Sequence, residues 1–155
     1  MSKPEADTPL PITIFTIGFA GKSAREFFAA LTDAGVRVVV DIRLNNQSQL
    51  AGFTKKQDLE YFLQQLGGLG YDHRLELAPT KEILDAYRKK VIDWAEYERR
   101  FHQLLLDRQV ETLFRPTDLD GACLLCSEPT ADQCHRRVAA EYLRDHWRDV
   151  TIRHL

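Results

Sequence analysis

Between Ile12 and Ile42, two β-branched runs flank a single amphipathic stretch, and few folds accept that pattern. Ile12-Thr13-Ile14-Phe15-Thr16-Ile17 ends at Gly18, a composition that suits a buried strand better than a helix. Ser23 followed by Glu26 reads as a capping box, after which Phe27, Phe28, Leu31 and Ala34 fall on one helical face until Gly35. The spacing predicts a helix over Ala24 to Ala34. Val36-Arg37-Val38-Val39-Val40-Asp41-Ile42 follows at once. Strand, helix and strand with brief connections make a βαβ unit, the building block of a parallel sheet.

The rest of the chain keeps the alternation. Leu44 to Phe53 is polar and reads as a loop at the carboxyl end of the second strand. Thr54 with Gln57 forms a second capping box, and Leu59, Phe62, Leu63 and Leu66 give a helical stripe stopped by Gly67-Gly68. Tyr71 to Leu77 predicts a third strand with Asp72, Arg74 and Glu76 on one face, and Pro79-Thr80 opens a short helix. From Asp93, the residues Trp94, Tyr97, Phe101, Leu104 and Leu105 repeat at helical spacing. Phe114 to Gly121 is a connector, and Ala122 to Cys126 is a short buried strand. Thr130 with Gln133 caps a helix that packs through Val138, Ala139, Tyr142 and Leu143, and Val150 to His154 closes the chain as a strand. The expected fold is a three-layer α/β domain with a mostly parallel sheet flanked by helices. At 155 residues and 44% hydrophobic content, the chain supports one core, so a single domain over 12–155 behind a disordered leader over 1–11 is expected.

Composition excludes several function classes. No apolar run is long enough to cross a bilayer, and the first residues lack the basic then apolar order of a secretory signal, so no membrane partner is expected. Three cysteines are too few for a disulfide scaffold, which favours a reducing, cytoplasmic setting. A net charge of -2 and a pI near 6.2 give no global basic field, so any nucleic-acid contact has to come from a local patch.

In open parallel sheets, ligands sit beyond the carboxyl ends of strands. That edge gathers Gly18, then Asp41 and Arg43, then Cys126, Ser127 and Glu128. The helix after Glu128 starts at the same edge, with Cys134, His135 and Arg136 in or near its first turn, where free N–H groups and the helix dipole favour anions. Asp41, Glu128, Cys134 and His135 are the catalytic candidates. Gly18, Arg43, Cys126, Ser127 and Arg136 are the ligand-binding candidates. Each also has a plain reading: Asp41 and Arg43 as a structural ion pair, Glu128 as a counter-charge for Arg136 or Arg137, and Cys126 and Cys134 as buried thiols.

Cys123, Cys126, Cys134 and His135 form a C-x2-C-x7-C-H set. Residues three apart on a strand point to opposite faces, which argues against a zinc site, and no metal is expected. A reversible Cys126–Cys134 bridge stands above zinc, and plain thiols are the simplest reading. Asp132 occupies the position where a phosphatase-type or rhodanese-type cysteine cradle would carry arginine. Neither a G-x-x-x-x-G-K-[ST] loop nor a G-x-G-x-x-G fingerprint occurs, so no cofactor is expected.

Thr16-Ile17-Gly18, Asp41-Ile42-Arg43, Leu125-Cys126-Ser127-Glu128 and Cys134-His135-Arg136 together resemble the domain-of-unknown-function family 488, with its T-I-G, D-V/I-R, L-C-x-E and C-H-R blocks. The resemblance spans Ile12 to His154 and implies an α/β fold with a pocket built from those blocks. Phe19 stands where that family often has histidine or tyrosine, and Asn46 where it often has proline. The expected function is an enzyme binding a small anionic ligand, such as a nucleotide or phosphate ester. The alternatives are a noncatalytic nucleic-acid or protein-binding module and, third, a thiol redox sensor.

Overall fold

The computed structural model describes residues 11–46, 52–128 and 131–155. The expected leader, the Gln47-Ser48-Gln49 part of the polar loop and Thr130 lie outside the described residues, save for Pro11 of the leader. The strands are β1 (Ile12–Gly18), β2 (Val38–Asp41), β3 (Gly70–His73), β4 (Ala122–Cys126) and β5 (Val150–His154). They form one five-stranded sheet in the order β3-β2-β4-β1-β5, with every pairing parallel. Connecting them are helices α1 (Ala24–Ala34), α2 (Lys56–Gly67), α3 (Lys81–Arg88), α4 (Trp94–Arg108), α5 (Pro116–Leu119) and α6 (His135–His146).

Strand alternation divides the core into two layers. Phe15, Ile17, Val39, Cys123 and Leu125 meet Phe27 and Leu31 of α1 and Leu59 and Leu63 of α2. Ile14, Val40 and Leu124 turn the other way, toward Phe101 and Leu105 of α4 and Val138, Ala139 and Tyr142 of α6. Parallel sheets need this cover on both faces, and each fully buried Leu, Ile or Phe contributes about 1.5–3 kcal/mol. The three-layer α/β architecture read from the sequence is the one observed.

Local signals set the helix ends. Ser23 Oγ accepts the Glu26 N–H at 3.1 Å to start α1, and Gly35, at φ 76°, ends it by returning its N–H to the Leu31 and Thr32 carbonyls. Thr80 and Asp93 cap α3 and α4 in the same way.

Three local expectations are corrected. The third strand ends at His73: the Arg74 N–H makes the last ladder bond, to the Asp41 carbonyl, and the Leu77 and Ala78 N–H groups then bond back to the Arg74 and Leu75 carbonyls, so that Leu75–Leu77 wind into a 3-10 turn. Asp72, Arg74 and Glu76 therefore do not share a strand face. Thr54 does not cap α2: it is buried in a 3-10 turn over Gly52–Thr54, and Lys55 takes the cap position without a side-chain bond. Finally, α6 opens only at His135, with Cys134 as its N-cap residue, so it starts beyond Gln133.

The topology creates a crevice. β4 lies between β2 and β1, whose chains leave toward α1 and α2, whereas β4 leads to α6 on the opposite face. Neighbouring chains part in opposite directions at the carboxyl edge, which is where open α/β sheets hold ligands. Among the described residues, no helix is long and apolar enough to cross a membrane.

Candidate functional site

A cleft of about 710 Å³ occupies this crevice. The sheet edge and the start of α6 contribute Phe19, Arg43, Ser127, Glu128, Cys134 and His135; α3 and α4 contribute Lys81, Asp85, Tyr87, Arg88, Trp94 and Tyr97. Of the residues singled out from the sequence, Arg43, Ser127, Glu128, Cys134 and His135 line the cleft. Gly18, Asp41, Cys126 and Arg136 are not in its lining.

Asp41 is fully buried, and its carboxylate is saturated. Oδ1 accepts the Arg43 backbone N–H at 3.1 Å and Nε at 2.9 Å; Oδ2 accepts Arg43 Nη2 at 2.7 Å and the Tyr71 hydroxyl at 2.6 Å. Tyr71 in turn accepts from Asn46 Nδ2, and burial together with its bond to Asp41 raises its pKa. Asn46 Nδ2 also donates to His73 Nδ1, and His73 Nε2 donates to the Arg43 carbonyl at 2.8 Å, which fixes the His73 tautomer. Asp41 thus holds Arg43 and has no free acceptor to offer a ligand.

Arg43 is 5% exposed, and Nη2 also donates to the Thr54 carbonyl at 2.7 Å. Phe19 lies against its guanidinium, 5.4 Å from Cζ to ring centroid. That contact gives Phe19 a place in the site without a titratable group. Nη1 is buried without a hydrogen-bond partner among the described residues. A buried, unsatisfied donor costs about 1–3 kcal/mol, so such groups call for a partner.

His135 is the first residue of α6, and its Nε2–H donates to the Ile42 carbonyl at 2.8 Å. Its ring meets the edge of Phe101, 5.6 Å away. Burial pushes its pKa down to about 4; the Ile42 contact and Asp41 oppose the shift, and Arg136 adds to it. The imidazole is therefore neutral at pH 7, with its Nδ1 lone pair available on a residue that lines the cleft. No acidic residue stands in the first turn of α6, so its positive end is not offset from within.

Arg136 lies behind the cleft, 1% exposed. Nη1 donates to the Glu128 carbonyl at 2.7 Å and to Cys126 Sγ at 3.1 Å, and Nε donates to Thr16 Oγ1 at 3.3 Å. Gly18 is required here: a Cβ would stand 1.5 Å from the Glu128 carbonyl oxygen and 2.4 Å from Arg136 Nη1. Its role is to let the β4 loop and the guanidinium approach β1. The sulfurs of Cys126 and Cys134 lie against each other across the turn from β4 to α6, which brings together the pair named in the bridging reading. Cys123 sits on the opposite face of the sheet, as alternation requires. Glu128 is exposed, and its carboxylate forms no ion pair among the described residues; Arg137 pairs instead with Glu98 and Glu141.

Sequence reasoning missed the wall opposite the sheet edge. Tyr87, Trp94 and Tyr97 form an aromatic cluster, with ring centroids 4.9 to 5.7 Å apart. Trp94 and Tyr97 share the apolar stripe of α4; Tyr97 is buried, and Trp94, at the helix start, stays half-buried beside the cleft. The available signal was α3, an amphipathic helix with no fully buried residue. Around the rim, Lys81 and Arg88 are offset by Asp85 and Glu128. The positive groups not offset at the rim are the α6 terminus, Arg43 Nη1 and the Arg136 charge behind them.

A family model described as Domain of unknown function DUF488 matches residues 23–143. The match includes the Asp41–Arg43, Cys126–Glu128 and Cys134–Arg136 blocks and begins after Thr16-Ile17-Gly18. No curated protein and no solved structure matches the chain.

Proposed function

Since the chain belongs to the DUF488 family, whose description assigns no activity, its function has to be read from its own cleft, and we propose that this cleft binds a small phosphate-bearing ligand with a planar group, such as a nucleotide. The observation that carries this reading is Arg43 Nη1, a buried donor without a partner on a guanidinium otherwise locked by Asp41 and Thr54. The anion would sit between this nitrogen and the α6 terminus. The planar group would stack on Trp94 or Tyr87, and Glu128 and Asp85 would accept from hydroxyls. His135 Nδ1 would accept a proton from a ligand hydroxyl, and a bound anion beside it would raise its low pKa toward neutrality and make it a better base. Asp41 acts here as a positioning residue.

A thermal melting screen with inorganic phosphate, sugar phosphates and nucleoside monophosphates tests the reading. A ligand at about 100 times its Kd stabilises the protein by about 2.7 kcal/mol. The expected result is a higher Tm with nucleotides than with phosphate alone, accompanied by a change in Trp94 fluorescence. Unchanged melting across the whole panel contradicts it.

A further inference from the structure

Arg136 raises a charge problem that the cleft does not solve. Its guanidinium is buried, yet its hydrogen-bond partners among the described residues are a hydroxyl, a carbonyl and sulfur, with no carboxylate. Burying a cation without a counter-charge costs several kcal/mol, and hydroxyl and carbonyl oxygens solvate it without neutralising it. The exposed Glu128 carboxylate acts on this cation only at longer range, and the groups within hydrogen-bonding reach able to take up negative charge are Cys126 Sγ, at 3.1 Å, and Cys134 Sγ, at 4.0 Å. Both cysteines are buried, but Cys134, 2% exposed, lies at the positive end of α6 and lines the cleft, whereas Cys126 lies behind it. Cys123 does not compete, because complete burial pushes its thiol far above the usual range.

We propose that Cys134 and Cys126 form a redox-active dithiol: Arg136 holds a thiolate on the reduced pair, Cys134 attacks a hydroperoxide entering through the cleft, and Cys126 resolves the product. The Cys134 thiolate attacks the terminal oxygen of ROOH, the O–O bond breaks, and the departing alkoxide takes up the proton that Cys134 shed on ionising. Cys134 then carries a sulfenic acid. The Cys126 sulfur attacks the Cys134 sulfur, and hydroxide leaves with the Cys126 proton as water. In sum, two thiols and one hydroperoxide give one disulfide, one alcohol and one water. This chemistry needs no phosphate ligand, so it stands or falls separately from the binding reading.

The test treats fully reduced protein with one equivalent of hydrogen peroxide and follows it by peptide mass spectrometry. Wild type should lose two hydrogen masses and yield a Cys126–Cys134 linked peptide, with Cys123 unmodified. Cys126→Ser should stop at a sulfenic acid on Cys134, trapped by a dimedone-type probe. Arg136→Gln should slow the reaction at least about tenfold. Should that variant fail to fold, wild type and Cys126→Ser still decide the matter: intact thiols at Cys134, or oxidation at Cys123 alone, overturns the proposal.

Discussion

Arg43 and Arg136 are both buried at the carboxyl edge of the sheet, and they differ in what balances their charge. Arg43 brings its own carboxylate: Asp41 stands two residues earlier on the same strand end, grips Nε and Nη2, and is itself held by Tyr71. Arg136 has no such partner and is held by Thr16, the Glu128 carbonyl and two sulfurs. The first arrangement is a fixed scaffold with one donor left over. The second is a cation whose surroundings can change charge, since sulfur ionises or forms a bridge. His135 feels both sites: Asp41 and Arg136 push its pKa in opposite directions.

The largest expected effect breaks the scaffold. Arg43→Met strands the Asp41 carboxylate in the core and should lower unfolding stability by about 3–5 kcal/mol in urea titrations. Adding Asp41→Leu should restore much of that loss, because the cost lies in the unpaired charge. A single variant as stable as wild type would remove Arg43 from the account.

His135 gives the next effect. Its folded pKa of about 4 lies below the ordinary value of 6.5, so the unfolded chain binds this proton more readily. Stability should therefore fall as pH drops from about 6.5 to about 4, by about 3 kcal/mol, and level off below that. His135→Asn should lack this component when the two pH–stability curves are compared. Arg136→Met should also raise the His135 pKa, measurable by proton NMR.

Arg136 itself should depend on redox state. Arg136→Met removes charge-assisted bonds and should cost about 1–3 kcal/mol with the cysteines reduced. In the oxidised protein the cation has no thiolate to balance, so the same substitution should cost less; equal costs in both states would mean that Arg136 does not sense the sulfurs. The smallest effect is Phe19→Leu, which loses the contact under Arg43 and should cost about 0.5–1 kcal/mol beyond the change in packing.

The sequence made the scaffold legible because strand and helix periods are local. The β1-α1-β2 unit, the edge that carries Asp41, Arg43 and Glu128, and the start of α6 near Cys134 all follow from patterns within a few residues. What it did not reveal are choices made between distant elements. Asp41 is saturated by Tyr71, thirty positions on, and Arg136 turns to Thr16 and Cys126. Trp94 lines the cleft although it shares the apolar stripe of α4, because periodicity identifies the apolar side of a helix without saying what covers its first turn. The third strand failed for a similar reason. After the last ladder bond, from the Arg74 N–H to Asp41, the Leu77 and Ala78 N–H groups turn back to the Arg74 and Leu75 carbonyls, and that 3-10 turn has no sequence signature.

Whether the leftover donor of Arg43 recognises an anion is tested most directly by calorimetric titration of reduced protein with a nucleoside monophosphate, with Arg43→Lys as the comparison. Lysine keeps a positive charge beside Asp41 but cannot present the second arm of the fork. Saturable binding by wild type, weakened at least about tenfold in Arg43→Lys while circular dichroism shows the variant folded, is the expected result. Equal affinity in both proteins, or no binding by wild type, would contradict it.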